Sequence, residues 1–237
     1  AEFVEKANDF RQVVPVFSNV IFDTSQVHAN VLFPHMFAWL DKVLDLIKAH
    51  PDTLFVLRAH PDELRPNSRK QSRESVADWV RENAVDHLGN VIFVDSDAYL
   101  SSYALIHRAH FVMVYNSSIG LEASIMGVPV LSAGASRYTA FPTVYFPETA
   151  TEFEIMARAF LAAEEVEQPE NFIREARRVL YYQFYRTGLS FSDFLASHQR
   201  MGYVRVKSFA HEKLLPQNSP TMKTLYEGII EGRPFLV

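Results

Sequence analysis

The run Asn116-Ser117-Ser118-Ile119-Gly120-Leu121-Glu122 sets two hydroxyls just ahead of a carboxylate, directly after the apolar stretch 111–115. A stretch of that composition reads as a buried parallel strand. Polar residues that follow such a strand stand outside its carboxyl end, where open α/β sheets hold their ligands. Amides at a helix start there would face an anion. Ser117 and Ser118 would serve a phosphate, Asn116 and Gly120 would shape the turn, and Glu122, one turn on, would suit a ribose diol. Together these groups suit a nucleotide. The same residues also make a plain capped helix, with Ser117 or Ser118 as N-cap and Glu122 favoured by the helix dipole.

Other strand ends carry matching chemistry. Arg58-Ala59-His60-Pro61-Asp62-Glu63 closes an earlier apolar strand. Arg58 is a fixed cation suited to phosphate, and His60 can donate to a phosphate oxygen or a leaving group. Asn19 and Asp23 follow the first strand, and Asp23 is the candidate base, although turn chemistry also places Asp there. After the fifth strand, Arg137 could clamp phosphate and Tyr138 could cover a base or sugar, or both could lie in an ordinary surface loop. Asp97 is most simply a helix N-cap.

Several function classes are excluded. The chain has no Gly-x-Gly-x-x-Gly after its first strand, no phosphate-loop lysine motif and no Gly-x-Ser-x-Gly elbow. With no cysteine, thiolate metal sites and disulfides are out. The nine histidines show no His-x-x-x-His or His-Glu-x-x-His spacing, so the expectation is no metal and no cofactor. A formal net charge of -5 argues against nucleic acid as a partner. No apolar run approaches the ~20 residues of a transmembrane segment.

The elements that must position these residues alternate. Strands are expected at 12–22, 53–58, 90–94, 111–115 and 128–132, with helices at 34–49, 72–84, 99–108 and 119–126 between them. That alternation implies right-handed crossovers and an α/β fold, a Rossmann-like, mainly parallel sheet with helices on both faces. From about 151 the pattern turns helical, at 152–165, 170–186 and 221–230. The expected division is a nucleotide-sugar-binding domain at 1–150 and a C-terminal helical extension at 151–237 packing on it. The late aromatics Phe172, Tyr181, Tyr182, Phe184 and Tyr185 suit core or interdomain packing, or stacking on a base.

Taken in order, four motifs resemble the nucleotide-sugar-binding half of capsule polysaccharide biosynthesis proteins. They are Val16 through Asp23, Phe37-Ala38-Trp39-Leu40, Leu57 through Glu63, and Tyr115 through Ala123 with Gly127-Val128-Pro129-Val130. That family includes transferases of Kdo from CMP-Kdo, with a two-domain glycosyltransferase B fold. The resemblance implies that His60 contacts the donor phosphate, that Ser117 and Ser118 bind phosphate or nucleotide, and that Glu122 holds the ribose. Asn19, Arg58, Glu63, Asn116, Gly120, Arg137 and Tyr138 complete the expected binding set, and Asp23 and His60 the catalytic pair. The expected function is a glycosyltransferase donor-binding half, using a nucleotide sugar of CMP-linked type. Its acceptor would be a saccharide or lipid-linked, held by a missing N-terminal domain. The expected place is the cytoplasm, with peripheral contact at the inner face of the membrane left open. A nucleotide-sugar epimerase or hydrolase, and a non-catalytic nucleotide-binding or assembly module, are the alternatives.

Overall fold

The computed structural model describes residues 2–21, 26–63, 73–200 and 202–236. The order along the chain begins α1 (Glu2–Ala7), β1 (Gln12–Phe17), α2 (Gln26–Ala29), α3 (Met36–Ala49), β2 (Thr53–Arg58) and α4 (Val76–Glu82). It continues with β3 (Val91–Val94), α5 (Ser102–Ile106), β4 (Val112–Val114), α6 (Ile119–Ile125), β5 (Val130–Ser132), α7 (Ala150–Ala162) and α8 (Glu170–Tyr181). The five strands form one parallel sheet in the order β3-β2-β1-β4-β5. This is the Rossmann-like α/β arrangement expected from the alternation. Right-handed crossovers put α3 and α4 on one face and α6 on the other.

Local chemistry explains where the elements stop. Beta1 ends at Phe17 rather than at residue 22, because Ser18 Oγ donates to Arg58 O at 3.0 Å and Asn19 Oδ1 accepts from Val20 N at 2.8 Å. Side chains there take over backbone partners and turn the chain. Pro15 sits in the central strand, yet β1 registers with β4 only at Val16 and Phe17, so the missing N–H falls just outside the paired stretch. The α3 helix starts on His35, whose Nδ1 accepts from Ala38 N at 3.1 Å, and buries Met36, Trp39, Leu40, Val43, Leu44, Leu46 and Ile47 against the sheet. A reciprocal capping box between Ser75 and Asp78 opens α4.

The chain divides into two compact units, Ala1–Arg177 and Arg178–Val237. Within the first, α7 contributes Phe153, Ala157 and Leu161, four residues apart and fully buried, to the core of the sheet domain. Phe153 meets Phe33 edge-on at 5.4 Å, and Phe160 meets Phe111 at 5.3 Å. Phe172 packs on Tyr145, with centroids 5.2 Å apart.

The second unit holds an element the helical pattern did not suggest, an antiparallel hairpin of β6 (Leu195–Ser197) and β7 (Val204–Val206). Three-residue strands are too short for a period-two signal to stand out. Its last helix, α9 (Pro220–Ile230), starts on Ser219 with Pro220 at the first helical position, close to the expected span. After α8 the helical run loosens into a π turn, Tyr182–Arg186, and Tyr181, Tyr182, Phe184 and Tyr185 are all exposed. None of these four forms a core.

Replacing Phe153 by Ala should remove about 3–5 kcal/mol of stability, as for other fully buried aromatics. Urea unfolding should show it as a lower midpoint. An unchanged midpoint would mean that α7 is not part of the sheet domain's core.

Candidate functional site

In this strand order the chain leaves the ends of β1 and β4 toward opposite faces, which opens a crevice between them. Across that crevice Asn19 Nδ2 donates to Asn116 Oδ1 at 2.7 Å, and both residues are buried. Asn19 N donates to the sulfur of Met36 at 3.2 Å, which ties the β1 end to the start of α3. Neighbouring ends are joined the same way. Ser18 N and Oγ both donate to Arg58 O, and Ala59 N donates to Val94 O at 3.0 Å. On the other side, Ser132 Oγ donates to Tyr115 O at 3.2 Å, and Gly134 N donates to the same oxygen. A Cβ on Gly134 would sit 2.9 Å from that oxygen, so only glycine permits the approach.

The β2 end carries three of the expected residues, which differ in what they offer. His60 is partly exposed and its Nδ1 accepts from Asp62 N at 3.1 Å. That bond puts the neutral ring's proton on Nε2, making it a donor. Arg58 is turned sideways, with Nη1 donating to Leu100 O in the loop before α5, and burial lowers its guanidinium below the usual range. One of its N–H groups thus holds that loop. Glu63 lies inside the protein, fully buried, where Oε1 accepts from Val76 N at 2.9 Å and anchors the start of α4. The structure therefore gives Glu63 a helix-anchoring place, not an open one. Burial pushes its carboxyl up to about 7, opposed by the Val76 amide and reinforced by Asp95 and Asp78.

At the β4 end, Ser117 is partly exposed and Ser118 exposed, and the Ser118 side chain makes no capping bond to α6. The hydroxyl is therefore not consumed by the helix, unlike in the plain-cap reading. Tyr138 is buried, and its hydroxyl donates to Ser117 O at 2.7 Å, which places it behind the turn rather than in an ordinary surface loop. Burial drives that phenol far above its ordinary value, so it stays a donor. A Cβ on Gly120 would lie 2.6 Å from the Tyr138 hydroxyl and 3.1 Å from Val114 Cγ2, so Gly120 is the space that Tyr138 fills. Arg137, next to Tyr138 in the turn after β5, is exposed.

Glu122 is partly exposed, and its Oε2 accepts from the Tyr103 hydroxyl at 2.5 Å. Tyr103 carried no signal in the sequence, because one tyrosine in a five-residue helix has no spacing to read. Tyr115, read only as a strand residue, also has a polar role: its hydroxyl donates to Asn30 Oδ1 at 2.5 Å, and burial pushes it up to about 12. Asp23 lies outside the described residues. Among the described residues, no group of three or more metal-ligating side chains gathers, and no helix is long and apolar enough to cross a membrane.

A cavity of about 830 Å³ opens between the starts of α3 and α4, lined by Asn30, His35, Met36, Phe37, Asp78 and Trp79, with Arg73, Glu74 and Glu82 among its charged residues. Among the described residues, none of those expected from the sequence lines it. One of its lining residues, Met36, is the partner of the Asn19 amide.

Two substitutions test these placements. Below about pH 4.5, Glu63 is protonated whether the chain is folded or not; between there and 7 the unfolded chain ionises first, so stability falls as pH rises. Glu63→Gln removes that loss, and should gain on the order of 2 kcal/mol over the parent between pH 5 and 8. Denaturant unfolding at the two pH values reads it; parallel profiles would refute the buried placement. Gly120→Ala should cost about 1–3 kcal/mol by overpacking against Tyr138. Adding Tyr138→Phe, which deletes the clashing hydroxyl, should recover part of it, and strict additivity in the same measurement would count against the contact.

No curated protein matches the chain in sequence. Among solved structures, it is similar to UDP-GlcNAc 2-epimerase from Neisseria meningitidis bound to UDP-GlcNAc, at 18% identity and a TM-score of 0.44, covering 77% of this chain and 46% of that one. A putative UDP-N-acetylglucosamine 2-epimerase from Listeria monocytogenes gives 18% identity and a TM-score of 0.43, over 78% and 47%. KpsC, a beta Kdo 2,7 transferase from Thermosulfurimonas dismutans, gives 19% and 0.39, over 76% and 60%. The chain spans just under half the length of these epimerases. The family described as capsule polysaccharide biosynthesis protein matches residues 5–159, which take in the whole parallel sheet and every strand end described above, and the chain belongs to that family.

Proposed function

We propose that the chain is the donor-binding module of a glycosyltransferase in capsule or other bacterial surface polysaccharide synthesis. It would hold a nucleotide sugar, of CMP-linked type such as CMP-Kdo, across the ends of β1 and β4. The observation that carries this reading is the Asn19–Asn116 bond at the point where the chain diverges to opposite faces, with Ser117, Ser118 and Glu122 directly beyond it. Membership of the capsule polysaccharide biosynthesis family supports a place in polysaccharide synthesis.

In this reading an acceptor oxygen attacks the anomeric carbon and the bond from that carbon to the phosphate oxygen breaks. The electron pair leaves with the nucleotide, and the acceptor proton goes to a base, for which Asp23 is the candidate. His60, through its Nε2–H, and the hydroxyls of Ser117 and Ser118 would stabilise the charge that grows on the departing phosphate. Arg137 would add a cation from the β5 side. The cavity between α3 and α4 carries Glu74, Asp78 and Glu82 against Arg73, a balance that suits sugar hydroxyls better than phosphate. The phosphate accordingly belongs on the Ser117 side. The acceptor, saccharide or lipid-linked, would come from a second domain, on the cytoplasmic side of the membrane.

Calorimetry with CMP, CDP, UDP and GDP tests the reading. The parent should bind a cytidine nucleotide, with Glu122→Ala and His60→Ala each weakening it by roughly tenfold, as expected for loss of charge-assisted hydrogen bonds. If none of the four binds, or if both variants bind as well as the parent, the proposal fails.

A further inference from the structure

We infer that Tyr103 is a positioning residue for a ribose: it fixes the Glu122 carboxylate so that the site tells ribonucleotides from deoxyribonucleotides. This rests on the nucleotide reading above and adds to it a residue that no motif marked.

The hydroxyl of Tyr103 donates to Glu122 Oε2 at 2.5 Å, the length of a charge-assisted O–H···O⁻ bond. The hydrogen bond to Glu122, followed by the carboxylate's charge, holds the phenol above its usual value, so it remains the donor through neutral pH. A carboxylate has about four acceptor positions. Tyr103 takes one, and among the described residues Glu122 Oε1 accepts nothing. A sugar with two adjacent hydroxyls could donate to the positions that remain. A 2′-deoxy sugar brings one hydroxyl fewer.

The pair is poorly placed to serve stability. Tyr103 is 52% exposed, so its ring contributes little buried apolar area. Its value lies in direction. A free glutamate side chain samples several rotamers and loses that freedom on binding, whereas one already held by Tyr103 loses little.

The support beneath Tyr103 is rigid. Leu105 and Ile106 bury the other side of α5, and Ser101 Oγ caps it by accepting from Ala104 N at 3.4 Å. The loop ahead of the helix is held by Arg58, whose guanidinium donates to Leu100 O. Arg58 thus acts on the site through a loop, α5 and Tyr103, ending at the Glu122 carboxylate.

Calorimetry on the full chain with CMP, UDP and the 2′-deoxy form of each tests this, using the parent, Tyr103→Phe and Glu122→Gln, after circular dichroism has shown all three folded. The parent should prefer the ribonucleotide. Tyr103→Phe should weaken ribonucleotide binding roughly three- to tenfold, as for one lost hydrogen bond, and weaken the 2′-deoxy form by a smaller factor, so that the preference narrows. A merely structural role would weaken both alike, which would overturn the inference. So would a Tyr103→Phe variant that keeps the full preference while Glu122→Gln loses it, and the nucleotide reading would then survive alone. A parent that binds none of the four probes removes the nucleotide reading and this inference together.

Discussion

The site depends on one hydrogen bond, from Asn19 to Asn116, because it joins two strands whose connections lead away from each other. Parallel strands meet edge to edge through their backbones, but beyond their last paired residues nothing in the ladder holds the ends together. Beta1 and β4 share only two registered positions, at Val16 and Phe17, fewer than β1 shares with β2. A buried amide pair beyond that short ladder fixes the width of the crevice. Its cost is desolvation of two polar side chains, and that cost is met because Asn19 also accepts from Val20 N.

The same solution recurs outward along the sheet edge. Ser18 reaches the β2 end, Ser132 returns from β5 to the β4 end, and Tyr138 holds the Ser117 carbonyl from behind. Small hydroxyls and amides can do this where long charged side chains cannot, since each is short enough to bond the adjacent backbone without filling the crevice. Glycine completes the arrangement at two points. Gly134 admits the β5 end to the Tyr115 carbonyl, and Gly120 leaves room for the Tyr138 hydroxyl. Residues that look like ligand contacts in a linear reading therefore divide into those that face outward and those that build the wall behind them.

That division marks the limit of what the sequence made legible. Strand and helix alternation placed all five parallel strands and the helices between them, because apolar periodicity reports burial directly. The ends of β2 and β4 were visible as polar residues after apolar runs, whereas β1 stops five residues short of its expected end. Direction was not visible. Nothing in the order of residues distinguishes a Tyr138 turned inward to Ser117 O from one turned outward, and Glu63 reads as a loop carboxylate until its contact with Val76 N is seen. Both are set by partners distant in sequence. Alpha7 joined the core for a related reason: Phe153, Ala157 and Leu161 show a buried stripe, but only the fold shows which surface it covers. The β6–β7 hairpin was hidden by its three-residue strands.

The electrostatics of the edge follow from how its cations are used. The chain is acidic overall, with a net charge of -5, and of its two strand-end arginines Arg58 donates to Leu100 O while Arg137 is exposed. Besides Arg137, a phosphate drawn to the Ser117 side would meet neutral donors: the hydroxyls of Ser117 and Ser118, and His60 with its proton set on Nε2 by Asp62 N. Neutral donors attract an anion weakly from a distance but act strongly once water is excluded and their directions are fixed. Such an edge discriminates by geometry more than by long-range attraction. For a bound anion the positions of the hydroxyls, of the Glu122 carboxylate and of the side chains behind them would then matter more than net charge.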